Sequence, residues 1–228
     1  MPTTFVLIPG AGGQAWYWHR LVAELERRGH VAIAVDLPTD DDMAGLAAYA
    51  DTVVAAVGER SPVVVVAQSM GGLTAPLVCA RLPVELLVLL NAMIPLPGET
   101  GGEWWTVTGQ GAAQAAYWQS EGLPGDPGDE TAVFFHDIPA DVVAAAQEQP
   151  FAQSTRPFED PWPLAAWPDV PTRVLVGRDD RLFPAALQRR IAAERLGIAA
   201  DEIPAGHLVA LSRPGELADR LEDYLRSM

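Results

Sequence analysis

Residues 63–72 of the chain read VVVVAQSMGG, and this stretch decides the fold. Four consecutive valines predict a β-strand that is buried on both faces, and the apolar positions after Gly72 predict a helix. Ser69 lies between the two elements, flanked by small residues. A serine on such a sharp turn exposes its hydroxyl next to the main-chain N–H groups that begin the helix. Ser69 is therefore a candidate nucleophile, and the rest of the chain has to supply its partners.

The alternation of strands and helices predicts a parallel sheet that is covered on both faces. The predicted strands lie at residues 5–8, 31–35, 63–66, 86–90, 173–177 and 199–203. Predicted helices lie at residues 16–28, 43–57, 185–196 and 214–226. We therefore expect residues 1–228 to form a single α/β domain with a mostly parallel, doubly wound sheet of about six strands. In such sheets, reactive residues collect at the carboxyl ends of the strands.

Composition and charge argue against several classes of partner. The formal net charge of −15 disfavours nucleic acid and anionic membrane surfaces, and also a strongly anionic substrate. No apolar run is long enough to predict a membrane span, and the first residues lack the pattern of a signal peptide. The one cysteine, Cys79, is expected to be a buried packing residue and fits a reducing compartment. We expect a cytoplasmic protein whose partner is a small molecule.

Two short segments carry weaker signals. The glycine-rich loop at residues 9–13 lacks the lysine and the glycine spacing of a phosphate-binding loop. Its expected use is to bring a main-chain N–H close to a reacting oxygen. Asp40, Asp41 and Asp42 precede the helix predicted at 43–57, and acidic residues stabilise a helix N-terminus. We predict that they cap this helix rather than bind a metal, and we expect neither a metal nor a cofactor.

One long segment, residues 91–171, interrupts the alternation and far exceeds an ordinary connection. Helical patterns occur near residues 103–120 and 139–148, and residues 122–128 are rich in turn formers. The segment is also aromatic, with Trp104, Trp105, Trp118, Phe134, Phe135, Trp162 and Trp167. We predict a helical lid insertion at about residues 95–167 that is laid over the strand ends, with at least one aromatic side chain facing a pocket.

A nucleophilic serine needs a base and an acid that orients the base. Among the four histidines, His207 has the best position, in a loop directly after the last predicted strand. His19 and His30 lie in or at the end of the first helix and are expected to be structural. His136 lies in the predicted lid and could touch a substrate. The acid has two candidates, Asp179 and Asp180, which both follow the fifth strand.

At this point the chain is recognisable, because the order serine, aspartate, histidine at strand ends resembles that of the α/β-hydrolases. The similarity covers the whole chain except the middle of the lid, and it resembles most the branch of plant methyl-ester esterases and hydroxynitrile lyases. The shared stretches are LIPGA at 7–11, AWYW at 15–18, QSMGG at 68–72 and HLVALSRP at 207–214. In this family the acid lies three residues after the strand-ending glycine and four before a proline. Gly177 and Pro184 thereby select Asp180, and Asp179 becomes a loop or capping residue.

The resemblance also implies further parts of the site. The main-chain N–H groups of Ala11 and Met70 would form the oxyanion hole. The residues expected to line the substrate pocket are Gly10, Trp104, Trp105, His136 and Leu208. Two features depart from the family. The His-Gly pair usual in the first loop is Pro9-Gly10 here, so a loop-ordering histidine is missing, and the chain starts at what would be the family's third strand.

The function implied is a serine hydrolase that cleaves small uncharged, partly apolar esters or lactones through an acyl-enzyme. Similar hydroxynitrile lyases have a threonine in the first loop and a lysine after the histidine, where this chain has Gly10 and Leu208, so lyase activity is disfavoured. Two alternatives stay open: a C–C bond hydrolase or polyketide-type tailoring enzyme with the same triad, and a ligand-binding receptor on the same fold. The sequence leaves the natural substrate open, and a monomer and a homodimer are equally compatible with it.

Overall fold

The computed structural model describes residues 2–228. Its centre is a six-stranded sheet in the order β2-β1-β3-β4-β5-β6, in which every neighbouring pair is parallel. The strands are β1 (Thr4–Ile8), β2 (Val31–Ala34), β3 (Val63–Gln68), β4 (Val84–Leu90), β5 (Thr172–Gly177) and β6 (Asp201–Ile203). The predicted fold class is thereby confirmed. The change of direction in strand order next to β1 and β3 is where such sheets open a crevice at their carboxyl edge.

Eleven α-helices accompany the sheet in the part of the chain that the structure describes. They are α1 (His19–Arg27), α2 (Leu46–Val57), α3 (Gly71–Cys79), α4 (Gly101–Val107), α5 (Gln110–Glu121), α6 (Glu130–Phe134), α7 (Ala140–Gln147), α8 (Arg156–Glu159), α9 (Ala185–Leu196), α10 (Val209–Ser212) and α11 (Pro214–Arg226). A short 3-10 helix (Ala15–Trp18) precedes α1, so the helix predicted at 16–28 begins with a tighter turn.

The valine run of β3 shows why the sheet is apolar on both faces. Successive side chains of a strand point to opposite faces. Val63 and Val65 accordingly belong to a core cluster that includes residues of α2, α3 and α9. Val64 and Val66 belong to the cluster on the other face, with residues of α1 and α11. All four valines are fully buried, as the run predicts.

The predicted cap of α2 by Asp40, Asp41 and Asp42 is wrong. The helix begins at Leu46 rather than at residue 43, and its first N–H donates to Oδ2 of Asp160 across 3.0 Å. The carboxylate therefore comes from far along the chain, and a side chain at Gly45 would collide with it. Asp41 instead accepts from the N–H of Met43 in a local turn. The prediction was based on nearness in sequence, but in the folded chain Asp160 lies closer to the first N–H of the helix than the three aspartates do.

Residues 91–171, which we call the insertion, connect β4 to β5 and contain α4 to α8. The helices near 103–120 and 139–148 and the turns at 122–128 are present as predicted. Thr100 and Glu103 form a reciprocal capping box that starts α4. The ion pair between Glu99 and Arg195 joins the insertion to α9, and both side chains are only 7% exposed. Among residues 2–228, no helix is both long and apolar enough to cross a membrane.

Candidate active site

Ser69 lies on the turn between β3 and α3 with a backbone φ of +52°. A non-glycine residue in this left-handed region costs roughly 1–3 kcal/mol and is maintained only where the surroundings impose it. The first loop approaches this turn closely. A Cβ atom on Gly71 would lie 2.7 Å from the carbonyl oxygen of Pro9, and one on Gly10 would lie 2.8 Å from Cβ of Ser69. The small residues of the motif therefore allow the first loop to pack directly against the serine turn.

His207 connects Ser69 to Asp180. Its Nε2 lies 3.0 Å from Oγ of Ser69, and its Nδ1 lies 2.8 Å from Oδ2 of Asp180. With the ring proton on Nδ1, that nitrogen donates to the carboxylate and Nε2 accepts from the serine hydroxyl. His207 and Asp180 are buried, so water does not compete for these contacts. The structure thus brings together the three residues predicted from separate strand ends.

Asp180 is held by several donors, which distinguishes it from its neighbour. Its Oδ1 accepts from the N–H groups of Leu182 and Phe183 at 2.8 and 2.9 Å. Its Oδ2 accepts from Nε2 of Gln188 at 3.3 Å in addition to His207. Asp179, in contrast, has an exposed carboxylate 3.5 Å from Arg178. Of the two acidic candidates, only Asp180 contacts the imidazole.

Asn91, which the sequence analysis did not single out, positions the histidine loop. It follows β4, is fully buried and has a φ of +46°. Its Nδ2 donates to the carbonyl oxygens of Gly206 and His207 at 3.1 and 3.0 Å, and its Oδ1 accepts from the N–H of Gly177 at 2.6 Å. One signal was available, because an amide side chain directly after a buried strand lies at the reactive edge of the sheet.

Ala11 and Met70, whose main-chain N–H groups are the predicted oxyanion hole, line one cavity together with Ser69. Within residues 2–228, neither N–H has a hydrogen-bond acceptor in the protein. The next N–H of the first loop, that of Gly12, donates to Oε1 of Gln153 at 3.0 Å. Gln153 belongs to the insertion, so the insertion fastens a loop that in similar proteins has a histidine. Two donors without a protein acceptor, on residues that share the cavity wall with Ser69, suit an oxygen that gains negative charge.

The cavity has a volume of about 370 Å³ and lies between the sheet edge and the insertion. Aromatic side chains form much of its wall, including Trp16, Trp105, Phe134, Phe135 and Phe151. Of the residues predicted to line it, Trp105 and Leu208 do so, and Gly10 borders an adjoining chamber of about 100 Å³. In the described chain, no group of three or more His, Cys, Asp or Glu side chains has the arrangement of a metal site.

The predictions for Trp104 and His136 are wrong, because neither residue lines the cavity. Trp104 is 1% exposed and its Nε1 donates to the carbonyl oxygen of Ile94, so it packs the insertion to the core. His136 packs against Gly206, because a Cβ atom at residue 206 would lie 2.7 Å from its Nε2. Burial, together with the charge of Arg181, lowers the pKa of His136 below its usual value. Helical side chains one position apart point in different directions, which separates Trp104 from Trp105.

Tyr17 is a further polar group on the cavity wall that the sequence analysis did not single out. Its hydroxyl oxygen accepts from the N–H of Ala210 at 3.4 Å, which leaves the hydroxyl proton available to a bound molecule. Burial raises the pKa of Tyr17, and the carboxylates of Asp180 and Asp137 act in the same direction. Tyr17 is therefore a neutral donor at physiological pH.

Comparisons with known proteins agree with this geometry. The profile described as "Alpha/beta hydrolase family" matches residues 5–220. A probable esterase, PIR7A, of Oryza sativa subsp. indica is 34% identical over 110 residues, which is 43% of this chain and 42% of that protein. The chain thus matches well under half of that curated relative's length.

Two solved structures share the fold over nearly their whole length. A pyrethroid hydrolase from Sphingobium faniae JZ-2 has a TM-score of 0.79 at 24% identity, covering 98% of this chain and 97% of that one. Polyneuridine aldehyde esterase has a TM-score of 0.77 at 21% identity, covering 98% and 99%. At this level of identity the likeness concerns the fold.

Proposed function

The chain belongs to the alpha/beta hydrolase family, and from this membership we propose that it is a serine carboxylesterase. Its substrates would be small uncharged, partly apolar esters or lactones, cleaved through an acyl-enzyme. The observation that carries the proposal is the continuous contact from Oγ of Ser69 through His207 to Asp180. A nucleophile, a base and an orienting acid are the parts that acyl transfer to a serine requires. The matched relative named as a probable esterase adds support.

In the first half-reaction, Oγ of Ser69 attacks the ester carbonyl carbon while Nε2 of His207 takes the hydroxyl proton. The electron pair of the carbonyl moves onto its oxygen, which accepts from the N–H groups of Ala11 and Met70. When the tetrahedral intermediate collapses, the bond to the alcohol oxygen breaks and His207 returns the proton to that oxygen. The alcohol leaves, and the acyl group remains on Ser69.

In the second half-reaction, water attacks the acyl carbon and His207 takes a proton from it. The second tetrahedral intermediate uses the same two N–H groups. Its collapse breaks the bond to Oγ, His207 returns the proton to Ser69, and the carboxylic acid leaves. Asp180 stabilises the imidazolium that forms in each step and keeps the ring proton on Nδ1. No further reactant is needed.

The wall of the cavity supports an uncharged, partly apolar substrate. Trp105, Phe134 and Phe151 offer apolar surface to an acyl or alcohol group. Glu130 also lies on the wall, and the chain carries a net charge of −15, so a carboxylate on the substrate would meet repulsion. In this proposal the insertion acts as the lid of a single domain, and the chain works in the cytoplasm, in which its one cysteine stays reduced.

The test compares the wild-type chain with Ser69→Ala, using p-nitrophenyl butyrate as substrate. Ser120, which is exposed on α5, provides the matched control Ser120→Ala. We expect turnover by the wild type and the control, and a loss of at least about 10⁴-fold in Ser69→Ala with an unchanged circular dichroism spectrum. A fluorophosphonate should label the wild type at Ser69 alone. Activity of Ser69→Ala near that of the wild type would refute the proposal.

A further inference from the structure

We infer that Asp137 is a positioning residue for His207, through which the insertion sets the reactivity of the base; this inference rests on the proposed function. The carboxylate oxygen Oδ2 of Asp137 accepts from the N–H of Gly206 at 2.8 Å. Asp137 lies between α6 and α7, and Gly206 directly precedes the histidine. The contact therefore joins the insertion to the main chain of the loop that carries the base.

The loop depends on side chains for its position. The carbonyl oxygen of Gly206 accepts from Nδ2 of Asn91 at 3.1 Å. The carbonyl oxygen of His207 accepts from Asn91 and from Nε2 of Gln68 at 3.0 and 3.3 Å. Asp137 is the charged member of this set, and a hydrogen bond to a carboxylate is about twice as strong as one between neutral groups. Because glycine has the freest backbone, residue 206 needs such external restraint.

The contact is also tightly packed. A Cβ atom at residue 206 would lie 2.7 Å from Nε2 of His136 and 2.8 Å from Oδ1 of Asp137. Residues 136 and 137 therefore touch the loop with no intervening space, and a shift of the insertion moves the loop. Nε2 of His207 lies 3.0 Å from Ser69, and a misplacement of about 1 Å in such a contact can cost about 100-fold in rate.

A second observation indicates that this carboxylate serves more than stability. Within residues 2–228, Oδ1 of Asp137 is buried and has no hydrogen-bond partner. Nε2 of His136 is also buried and also lacks a partner there. Burying an unpaired polar atom is unfavourable, so a residue selected only for packing would not be an aspartate. The hydrogen bond from Gly206 to Oδ2 explains why a carboxylate stands at this position although its Oδ1 has no partner.

The test uses two substitutions that separate the hydrogen bond from the side chain as a whole. Asp137→Ala removes the acceptor, whereas Asp137→Asn keeps an oxygen that can accept from Gly206. We expect kcat per titrated site on p-nitrophenyl butyrate to fall by about 10- to 100-fold in Asp137→Ala, with KM changed by less than about threefold. Asp137→Asn should recover kcat to within about threefold of the wild type. Asp141→Ala, at an exposed position on α7, is the matched control and should leave kcat unchanged.

A readout without turnover completes the test. The Nδ1 proton that His207 shares with Asp180 should give a low-field proton resonance, which is sharp in the wild type and Asp137→Asn and broadened in Asp137→Ala. Wild-type kcat in Asp137→Ala, no recovery by Asp137→Asn, or a loss of kcat with an unchanged resonance would each overturn the inference. Loss of the cooperative thermal transition in Asp137→Ala would also overturn the inference, because the carboxylate would then be needed for folding rather than for positioning His207. A wild-type chain inert to every ester and to the fluorophosphonate would instead refute the proposed function, and this inference with it.

Discussion

The side-chain amide of Asn91 donates to the main-chain carbonyl of His207 across 3.0 Å, and its oxygen accepts from the N–H of Gly177. One buried side chain thus joins the end of β5, which leads to Asp180, to the loop that carries the histidine. The base and its acid come from different loops, and their separation is set by what lies between those loops. Asn91 fills that space.

Replacing Asn91 by alanine should therefore reduce both activity and stability. The substitution leaves the N–H of Gly177 without its acceptor and the carbonyl of Gly206 without its donor, removes one of the two donors to the carbonyl of His207, and places an alanine at a φ of +46°, to which alanine is less suited. We expect kcat to fall by at least about tenfold and the free energy of unfolding by about 1–3 kcal/mol, measured by ester turnover and urea denaturation. Gln119→Ala, at an exposed amide on α5, should change neither. Unchanged kcat in Asn91→Ala would contradict the assigned role.

Gly10→Ala should lower kcat, whereas the same substitution at the control position Gly111 should leave kcat unchanged. The new methyl group would lie 2.5 Å from Oε1 of Gln68 and 2.8 Å from Cβ of Ser69, so the first loop would have to move away from the serine. Since Ala11 moves with it, we expect kcat to fall by about 100-fold. Gly111 on α5 has open space around it, and Gly111→Ala should keep kcat and stabilise the helix by up to about 1 kcal/mol. Equal kcat values for the two variants would show that this close approach is unimportant.

The adjacent tryptophans of α4 should respond differently to truncation. Trp104 is buried in the core, and Trp104→Ala should lower the free energy of unfolding by about 3–5 kcal/mol. Trp105 lines the cavity, and Trp105→Ala should instead lower kcat/KM for esters with bulky apolar acyl groups by about tenfold. Urea denaturation and a series of acyl chain lengths distinguish the two effects. A reversal of the pattern would mean that the two side chains are misassigned.

The buried pair of Glu99 and Arg195 should contribute far more to stability than an exposed pair on the same helix. Glu99→Gln leaves the guanidinium of Arg195, which is 7% exposed, without its counter-ion, and we expect a loss of about 3–5 kcal/mol. Glu194→Gln removes the partner of Arg190 at an exposed site and should cost less than about 1 kcal/mol. Chemical denaturation of both variants gives the comparison. Similar losses would indicate that the insertion is not held through Glu99.

Cys79 should be unreactive in the folded chain. Burial raises the pKa of its thiol to about 12, so at about pH 8 the thiol remains protonated and the nucleophilic thiolate is scarce. We expect alkylation by iodoacetamide to be at least about 100-fold slower in buffer than in guanidinium chloride, as measured by mass spectrometry. In the folded protein the rate should rise about tenfold for each pH unit and level off only near pH 12, because below the pKa the thiolate fraction grows by that factor. Equal rates in both solvents would contradict the packing of Cys79, which is partly buried against the core.

Local sequence patterns predicted those features that depend on short stretches of chain. The valine run placed β3, and α9 and α11 begin and end where their patterns predict. The pattern failed at the start of α2, where Asp160 from the insertion takes the place of the nearby aspartates. It failed again for Trp104 and His136, because the direction of a side chain in the insertion depends on how that insertion packs.

The sequence by itself determined the parallel sheet, the turn that carries Ser69 and the strand ends at which Asp180 and His207 lie. These follow from hydrophobic period and from small residues at a sharp turn, which are local properties. Only the tertiary structure decided the rest. It showed that Asn91 and Asp137 hold the histidine loop, that Gln153 fastens the first loop, and that Trp105 rather than Trp104 faces the cavity. Each of these contacts joins residues far apart in the chain, and no local period specifies which distant groups will meet.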